Sequence, residues 1–269
     1  MYVSIENVSY FIDIQGEGFP LILLHGFTGD HSTWSTLVHQ LKGSRKLVSV
    51  DMIGHGKTDS PEAKDRYSIL SVTQDIERIM DHFQWDVVDV LGYSMGGRIA
   101  LSLAIKYPQK VRKLILESSS PGLKTELERK NRQIQDEKLA SFILEKGIEN
   151  FVDYWENIPL FSSQRKLPVL KQRVIREQRL QNSAVGLANS LRGMGTGIQP
   201  SWWETLNQFE VDTLLLTGTL DQKFCLIAEE MVKLMQKAQW VKVDGSGHAI
   251  HVEHSEKFGT IIDGFLSRY

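Results

Sequence analysis

Cysteine is nearly absent from the 269-residue chain, in which Cys225 is the only one. A single thiol cannot form an internal disulfide, a redox pair or a zinc site built from several thiolates. Residues 1–13 lack the basic start and apolar stretch of a secretion signal. No apolar run approaches the ~20 residues that cross a bilayer. These absences predict a cytoplasmic protein with no membrane partner.

An excess of charge of either sign is also absent. Lysine and arginine total 31 against 33 for aspartate and glutamate, a formal net charge of -2. Because this balance provides no general attraction to nucleic acid, we expect no nucleic-acid partner. A length of 269 residues, 41% of them hydrophobic, allows one large α/β domain with an inserted subdomain. Composition leaves the oligomeric state open.

Continuous apolar runs indicate strands that are covered on both faces. They occur at residues 20–24, 47–50, 87–91, 111–116, 213–217 and 240–243. Segments with helical spacing separate most of them, at residues 33–41, 72–83, 97–107, 224–237 and 256–267. A short hairpin ending near residue 14 would add an antiparallel edge. The alternation predicts an α/β fold with a mostly parallel, doubly covered sheet.

Strand-like runs are missing between Glu117 and about Phe209, where charged segments have helical spacing instead. We therefore expect residues 1–120 and 208–269 to form the core, and residues 121–207 to form a helical lid inserted after the sixth strand. Such a lid would cover the carboxyl ends of the strands, where open α/β sheets bind ligands. Helices packed elsewhere on the core are the alternative.

The segment Gly92-Tyr93-Ser94-Met95-Gly96 follows a strand-like run and precedes a helical one. A G-x-S-x-G sequence between strand and helix is the nucleophile elbow of the α/β-hydrolase fold, and an ordinary glycine turn is the alternative. In the elbow Ser94 would stand exposed above the sheet. The backbone N–H of Met95, at the helix N-terminus, could then stabilise a developing oxyanion.

A serine hydroxyl is activated when a histidine accepts its proton and an acid orients that histidine. In this fold the partners follow in the order serine, acid, histidine. Asp221 comes after the strand-like run at 213–217, and His248 comes after the run at 240–243. We predict Ser94, Asp221 and His248 as the catalytic residues. His251 and His254 compete with His248, but they would lie on a later turn or helix.

The loop after the strand that ends at Leu24 should supply the second oxyanion donor, and we predict the backbone N–H of Phe27 for this role. We interpret His55, in a glycine-punctuated loop, as structural. The glycine-rich residues 192–197 do not follow a strand, so they do not form a dinucleotide fingerprint. Since no cluster of metal ligands is evident either, we expect no cofactor and no metal.

Arginines are concentrated near the elbow and in the proposed lid. Arg98 lies four residues after Ser94, and we expect it to face the cavity. Arg132, Arg173, Arg176 and Arg179 belong to the lid, where a run of charge is usually a solvated helix face. If several of them face inward, the cavity suits a small molecule with several carboxylates, because guanidinium groups bind carboxylates bidentately.

The chain resembles, over nearly its whole length, the 2-succinyl-6-hydroxy-2,4-cyclohexadiene-1-carboxylate synthases, which are α/β-hydrolase-superfamily enzymes of menaquinone biosynthesis. The selective motifs are the elbow followed by Gly97-Arg98, Ser120-Pro121-Gly122-Leu123 followed by Arg132, Trp155 with Pro159-Leu160-Phe161, Arg179 with Asn182, and Gly195-Thr196-Gly197-Ile198-Gln199-Pro200. Ala249 departs from the pattern, since some members carry asparagine after the histidine.

This resemblance implies a carbon–oxygen lyase that needs no cofactor. It would eliminate pyruvate from 5-enolpyruvoyl-6-hydroxy-2-succinylcyclohex-3-ene-1-carboxylate, with the Ser94, His248 and Asp221 set as base. The resemblance also implies that Arg98, Arg132 and Arg179 each bind one of three substrate carboxylates, and that Tyr93 and Trp155 line the pocket.

Two other functions remain open from the residues alone. A serine hydrolase could use the same triad on an acidic ester or on a C–C bond, and inward arginines do not exclude it. A ligand-binding protein on this fold could carry an idle triad, although a complete set of triad residues argues against that.

Overall fold

This computed structural model describes residues 1–268, which form one eight-stranded sheet and nine α-helices. The strands are β1 Tyr2–Ile5, β2 Val8–Gln15, β3 Pro20–Leu24, β4 Lys46–Val50, β5 Val88–Tyr93, β6 Val111–Glu117, β7 Asp212–Gly218 and β8 Ala238–Val243. The helices are α1 Ser35–Leu41, α2 Ile69–His82, α3 Met95–Lys106, α4 Glu126–Trp155, α5 Val169–Leu180, α6 Ala184–Met194, α7 Gln222–Leu234, α8 Ile250–Glu253 and α9 Ser255–Leu266.

The strand order across the sheet is β1-β2-β4-β3-β5-β6-β7-β8. β1 and β2 form an antiparallel hairpin, and β2 is also antiparallel to β4, while the remaining neighbours are parallel. Glu6 and Asn7 make the hairpin turn with φ values of 48° and 64°. A two-residue turn with positive φ at both positions matches the twist of the flanking strands. The predicted fold class is confirmed.

Helices on both faces bury the central strands, which explains why those strands have no polar face. In β3, Ile22 and Leu24 belong to one apolar cluster, whereas Leu21 and Leu23 belong to another on the opposite face. Helices α2, α3 and α7 supply side chains to the first cluster, and α1 and α9 supply them to the second. Side chains alternate across a strand, so each face of β3 requires its own apolar residues.

Three helices, α4 to α6, lie between β6 and β7 in the chain, where the sequence shows no strand-like run. They share a third apolar cluster, made mainly by α4 and α6. α4 begins at a capping box formed by Thr125 and Glu128 and breaks at Gly147, whose φ of 80° is not helical. Within residues 1–268, no helix has both the length and the apolar character that crossing a membrane requires.

Candidate active site

Ser94 occupies the turn between β5 and α3 and has φ 51° and ψ -105°. A positive φ is strained for a residue with a side chain, so the surroundings must hold the turn in place. The Ser94 N–H donates to the Glu117 carbonyl at 2.8 Å. A Cβ on Gly92 would overlap the backbone of Gly96, and one on Gly96 would overlap the backbone of Leu24. The two glycines are therefore needed for this close approach.

His248 and Asp221 lie beside Ser94 at the carboxyl ends of neighbouring strands. The Ser94 Oγ is 3.0 Å from His248 Nε2, and His248 Nδ1 is 2.6 Å from Asp221 Oδ2. Since an ionised carboxylate only accepts hydrogen bonds, Nδ1 carries the proton and Nε2 can accept one from the serine. The three side chains can therefore act together as a nucleophile or as a base.

The other two histidines near this site have partners elsewhere. His251 is buried, and its Nδ1 lies 2.8 Å from a carboxylate oxygen of Glu117. The Nδ1 atom of His254 is 2.5 Å from the Ser246 hydroxyl. Neither histidine is hydrogen-bonded to Ser94, which separates them geometrically from His248.

Two backbone N–H groups are available beside the serine. Phe27 follows β3, and Met95 is the first residue of α3. In the part of the chain that the structure describes, neither N–H has a hydrogen-bond acceptor. Both residues line the same cavity as Ser94. Unpartnered N–H groups at this position can stabilise negative charge that develops on a substrate oxygen.

A cavity of about 860 Å³ opens on Ser94 and His248. Aromatic rings form one wall, where Phe27 lies 5.4 Å from Trp155 and Trp155 lies 5.7 Å from Phe161, centroid to centroid. Four basic side chains line the cavity, against two acidic ones: Arg98, Lys124, Arg132 and Lys223, with Glu128 and Glu230. A cavity with this lining suits an anionic molecule with an apolar body.

Known proteins share this fold over most of the chain. A family model described as the alpha/beta hydrolase fold matches residues 20–255. A Bacillus subtilis protein, provisionally named as a 2-succinyl-6-hydroxy-2,4-cyclohexadiene-1-carboxylate synthase, is 47% identical over 97% of this chain and 96% of its own. The chain belongs to this synthase family of α/β hydrolases.

Two further relatives agree with that membership. A Photorhabdus laumondii protein named as the same synthase is 30% identical over 93% of this chain and 86% of its own. The structure of MenH from S. aureus has a TM-score of 0.91 and 37% identity, and it covers 96% of this chain and 97% of its own. The expected family is therefore confirmed over almost the full length of the chain.

Arg98 lines the synthase cavity from the first turn of α3. Its Nη1 donates to the Met194 carbonyl at 2.6 Å and to the Gln199 side-chain oxygen at 2.5 Å. Both acceptors are neutral. Burial lowers the pKa of Arg98 to about 9, and the nearby Arg132 acts in the same direction. The charge of Asp136 acts in the opposite direction, although Asp136 is hydrogen-bonded to Arg132 and not to Arg98. The guanidinium is thus charged at neutral pH, and neither of its two hydrogen-bond partners is an anion.

Arg132 lines the same cavity from α4. Its Nε donates to Asp136 Oδ1, one helical turn away, at 2.8 Å. The other carboxylate oxygen of Asp136 is buried without a hydrogen-bond partner, and burial raises the pKa of this carboxyl group. Arg132 therefore keeps guanidinium N–H groups available to the cavity, while Asp136 fixes its Nε.

Arg179 is not brought into the main cavity. It is 6% exposed and lines an adjoining cavity of about 270 Å³, where its Nη2 donates to Gln164 at 3.2 Å. Burial lowers the pKa of Arg179. Phe27, Tyr93 and Phe161 line both cavities, so these three rings separate Arg179 from Arg98.

Tyr93 and Trp155 both line the main cavity, as the family resemblance implies. The Tyr93 ring lies 5.4 Å from the His248 ring, and burial, followed by the charge of Glu117, raises the pKa of Tyr93 well above its usual value. Its hydroxyl therefore stays protonated. The Trp155 indole N–H is buried and has no hydrogen-bond partner in residues 1–268.

Arg173 and Arg176 lie on α5 outside both cavities. Arg173 is 74% exposed in its side chain and 3.8 Å from Glu177. Arg176 pairs with Asp153 on α4, at 2.6 Å, and with Glu156 directly after α4, at 2.8 Å. Both arginines therefore lie on a solvated face of α5, which is the usual interpretation of such a run of charge.

Sequence reasoning did not assign several residues that shape the site. Gln199 and Asp136 hold the two cavity arginines, Phe224 packs 4.7 Å from the His248 ring, and Lys223 adds a cation to the lining. Lys223 and Phe224 lie two and three residues after Asp221, so their position just after β7 indicates that they lie near the site. The sequence indicates the role of Gln199 less clearly, because its partner, Arg98, is 101 residues away.

Asp30, His31 and Asp51 form one group in residues 1–268 whose donor atoms are close enough to hold a metal ion. The same atoms already have protein partners. Asp51 accepts from the backbone of His31 and Lys57 and contacts the His31 ring, and Asp30 accepts from Gln178 at 2.7 Å. These contacts give the group a structural role in joining the loops after β3 and β4.

Proposed function

We propose that this protein is the lyase that eliminates pyruvate from 5-enolpyruvoyl-6-hydroxy-2-succinylcyclohex-3-ene-1-carboxylate, giving 2-succinyl-6-hydroxy-2,4-cyclohexadiene-1-carboxylate for menaquinone synthesis. The main support is one juxtaposition in the cavity. A charged Arg98 without an anionic partner lines the same cavity as Ser94, whose hydroxyl is hydrogen-bonded to His248. A base and a cation that is not hydrogen-bonded to a carboxylate together suit proton abstraction from a carboxylated substrate.

Ser94 and His248 supply the base in this proposal. His248 Nε2 accepts a proton through the Ser94 hydroxyl, 3.0 Å away, as the serine removes the proton α to the succinyl ketone. Asp221, at 2.6 Å, stabilises the imidazolium that forms. The Phe27 and Met95 N–H groups hold the enolate oxygen. The electrons of the enolate then return through the ring, the ether C–O bond breaks, and pyruvate leaves as its enolate. The proton held by His248 passes to this leaving group, which restores the base.

The substrate carries three carboxylates, and the cavity offers matching cations. Arg98 and Arg132 face it directly, and both can donate from a planar guanidinium to two carboxylate oxygens. Arg179 can take part only if the ring wall of Phe27, Tyr93 and Phe161 opens towards its own cavity. Tyr93 and Trp155 add contacts to the substrate ring.

Residues 121–207 act as a lid in this proposal, on a core made by the rest of the chain. Support comes from the cavity lining, since Arg132 and Trp155 come from α4, and Met194 from α6, whereas Ser94 and His248 come from the core. Such a lid would exclude water from the enolate intermediate. A cytoplasmic location for the enzyme stays a prediction.

Pyruvate release from the succinyl-enolpyruvyl substrate, without added cofactor, tests this function. Ser94→Ala should reduce kcat about a thousand-fold or more, as losses of a triad member do, while substrate still binds. Ser190→Ala is the matched control, because Ser190 lines the cavity and its hydroxyl donates to the sulfur of Met95, at 3.5 Å, and not to a triad residue. That control should keep kcat within about threefold of wild type, because it leaves the hydrogen bonds among Ser94, His248 and Asp221 in place.

A small-ester assay in parallel separates the lyase from a serine hydrolase. The lyase should turn esters over poorly and form no covalent acyl intermediate at Ser94, because its base removes a carbon-bound proton. Near-native pyruvate release by Ser94→Ala would contradict the proposed mechanism. Rapid ester hydrolysis with an acyl-serine, and no pyruvate release by wild type, would favour the hydrolase instead.

A further inference from the structure

The segment that joins α6 to the rest of the chain, residues 194–199, lies against Arg98; we call it the Gly195 loop. Met194 and Gln199, at its two ends, both accept hydrogen bonds from Arg98 Nη1, at 2.6 Å and 2.5 Å. Gln199 is 1% exposed, so it supports Arg98 from inside the protein and not from the cavity.

Two glycines bring this loop close enough to reach Arg98. A Cβ on Gly195 would overlap the Leu191 carbonyl and approach Asp136, and a Cβ on Gly197 would lie 2.6 Å from the Arg129 carbonyl. The loop therefore packs backbone against α4 and α6. Gln133, on α4, fastens the outer side by donating to the Gly197 carbonyl at 2.8 Å. This packing explains the glycine-rich stretch that carries no dinucleotide fingerprint.

The partners of Arg98 are neutral, as is the Gln164 partner of Arg179, whereas two other arginines of the chain pair with buried carboxylates. Arg112 pairs with the buried Asp89, and Arg66 pairs with the buried Asp75 at 2.8 Å. A glutamate at position 199 would be nearly isosteric with Gln199 and would neutralise Arg98. Because the residue is an amide, the guanidinium is held in place while its charge stays available.

We propose that Gln199 is a positioning residue that orients the Arg98 guanidinium towards the cavity and, being uncharged, reserves its charge for a substrate carboxylate. This inference rests on the proposed function, in which Arg98 binds such a group. It adds a residue outside the cavity lining that sets the preference of the site for anions.

Kinetics of Gln199→Glu and Gln199→Met test the inference. Gln199→Glu places a carboxylate on Arg98, so KM for the succinyl-enolpyruvyl substrate should rise about ten- to a hundred-fold, the range for loss of a hydrogen bond to a charged group. The kcat should change much less, because His248 and Ser94 are untouched. Gln199→Met removes the acceptor without adding charge and should raise KM less.

Gln133→Met is the matched control for the loop itself. It removes the contact to the Gly197 carbonyl but leaves both Arg98 contacts intact. KM should stay within about twofold of wild type, since a partly exposed hydrogen bond contributes little. Melting temperatures of all three variants show whether any of them is generally destabilised.

A double-mutant cycle separates positioning from a purely structural role. In an Arg98→Ala background, Gln199→Glu should have no further effect on KM, because the group through which it acts is gone. A structural role for Gln199 would instead produce the same loss in both backgrounds. Additive losses would therefore overturn the inference.

Direct binding of tricarballylate, a simple tricarboxylate, provides a readout that does not depend on turnover. Gln199→Glu should bind it about ten-fold or more weakly than wild type, and Gln199→Met should fall between them. Equal binding by wild type and both variants would contradict the role of Gln199. Absence of pyruvate release by wild type would contradict the proposed function alone, and the binding comparison would still decide this inference.

Discussion

Two histidines beside the active site are buried and held in fixed tautomers. His25 Nε2 accepts the Met52 N–H at 3.0 Å, so its Nδ1–H donates to the Gly26 carbonyl at 2.8 Å. His55 Nδ1 is 3.0 Å from the Ile53 carbonyl, and its Nε2 is buried without a partner. Burial lowers the pKa of both residues, for His55 to about 3. This agrees with the structural role that the sequence indicates for His55.

The neutral state of His55 predicts a loss of stability in mild acid. Between its ordinary pKa of 6.5 and the native value of about 3, the unfolded chain binds a proton that the folded chain does not. The free energy of unfolding should therefore fall as pH decreases through this window, by about 2 kcal/mol from His55 between pH 7 and pH 5. Urea unfolding at both pH values measures it.

His55→Gln should remove that part of the pH dependence, whatever it does to stability at pH 7. His39→Gln is the matched control, since the His39 side chain is exposed on α1. It should retain the wild-type difference between pH 7 and pH 5. If His55→Gln kept the wild-type pH dependence, protonation of His55 would not be the cause of the stability loss between pH 7 and pH 5.

Sequence order could place some candidate residues near the elbow but could not decide all of their contacts. Asp221 and His248 follow buried strands of a parallel sheet, and the carboxyl ends of such strands meet at one edge. Arg179 lies on a helix, where spacing does not specify which of two adjoining cavities the side chain enters. The contact of Gln199 with Arg98 depends on how the lid packs on α3, which no local pattern records.

At the scale of elements, buried strands were predictable because their apolar runs are continuous, whereas helix starts were less so. The predicted helix at 72–83 begins at Ile69, and the one at 224–237 begins at Gln222. In α7 the first two residues, Gln222 and Lys223, are polar, and an apolar pattern does not detect them. In α2 the first two residues, Ile69 and Leu70, are apolar, and the prediction began after them. The caps account for the difference, since Ser68 accepts from the Ser71 N–H and Asp221 accepts from the Phe224 N–H.

The break in α4 predicts opposite effects for two glycine substitutions. Gly147 has φ 80° and ψ 171°, which a residue with a Cβ rarely adopts, although nothing lies within 4 Å of an added Cβ. Gly147→Ala should therefore destabilise the protein by about 1–3 kcal/mol, through backbone strain alone. Urea unfolding measures the change in the free energy of unfolding.

Gly264→Ala is the matched control in α9. Its added Cβ also meets nothing within 4 Å, and its φ is not positive. Alanine should stabilise this helix by about 0.5–1 kcal/mol, because glycine loses more backbone entropy on folding. If Gly147→Ala stabilised the protein as Gly264→Ala does, the helix would not be broken at Gly147 in solution.

At the scale of the whole molecule, charge is distributed very unevenly. The formal net charge is -2, yet the basic side chains of the main cavity outnumber the acidic ones by four to two. One of these bases, Lys124, already pairs with one of the acids, Glu230. The absence of a nucleic-acid partner, expected from the whole-chain charge, stays a prediction. That net charge does not indicate an anion site, because such a site depends on where the lid places its arginines.

The cavity arginines provide the test that separates this lyase from a general hydrolase. Arg98→Ala and Arg132→Ala should each leave a substrate carboxylate unpaired inside the cavity, at a cost of about 2–5 kcal/mol in transition-state binding. That corresponds to a loss of about thirty- to several-thousand-fold in kcat/KM for pyruvate release. Lysine replacements should recover only part, because an ammonium cannot make the two-pronged contact.

Arg173→Ala is the control for these variants, since the Arg173 side chain is 74% exposed on α5. This substitution should lower the free energy of unfolding by less than about 0.5 kcal/mol. Arg179→Ala decides whether the adjoining cavity takes part: a loss like that of Arg98→Ala would mean that the ring wall opens to admit the third carboxylate. If Arg98→Ala and Arg132→Ala retained the kcat/KM of the Arg173→Ala control, no carboxylate would bind between them. Serine hydrolase activity would then be the better explanation of this triad.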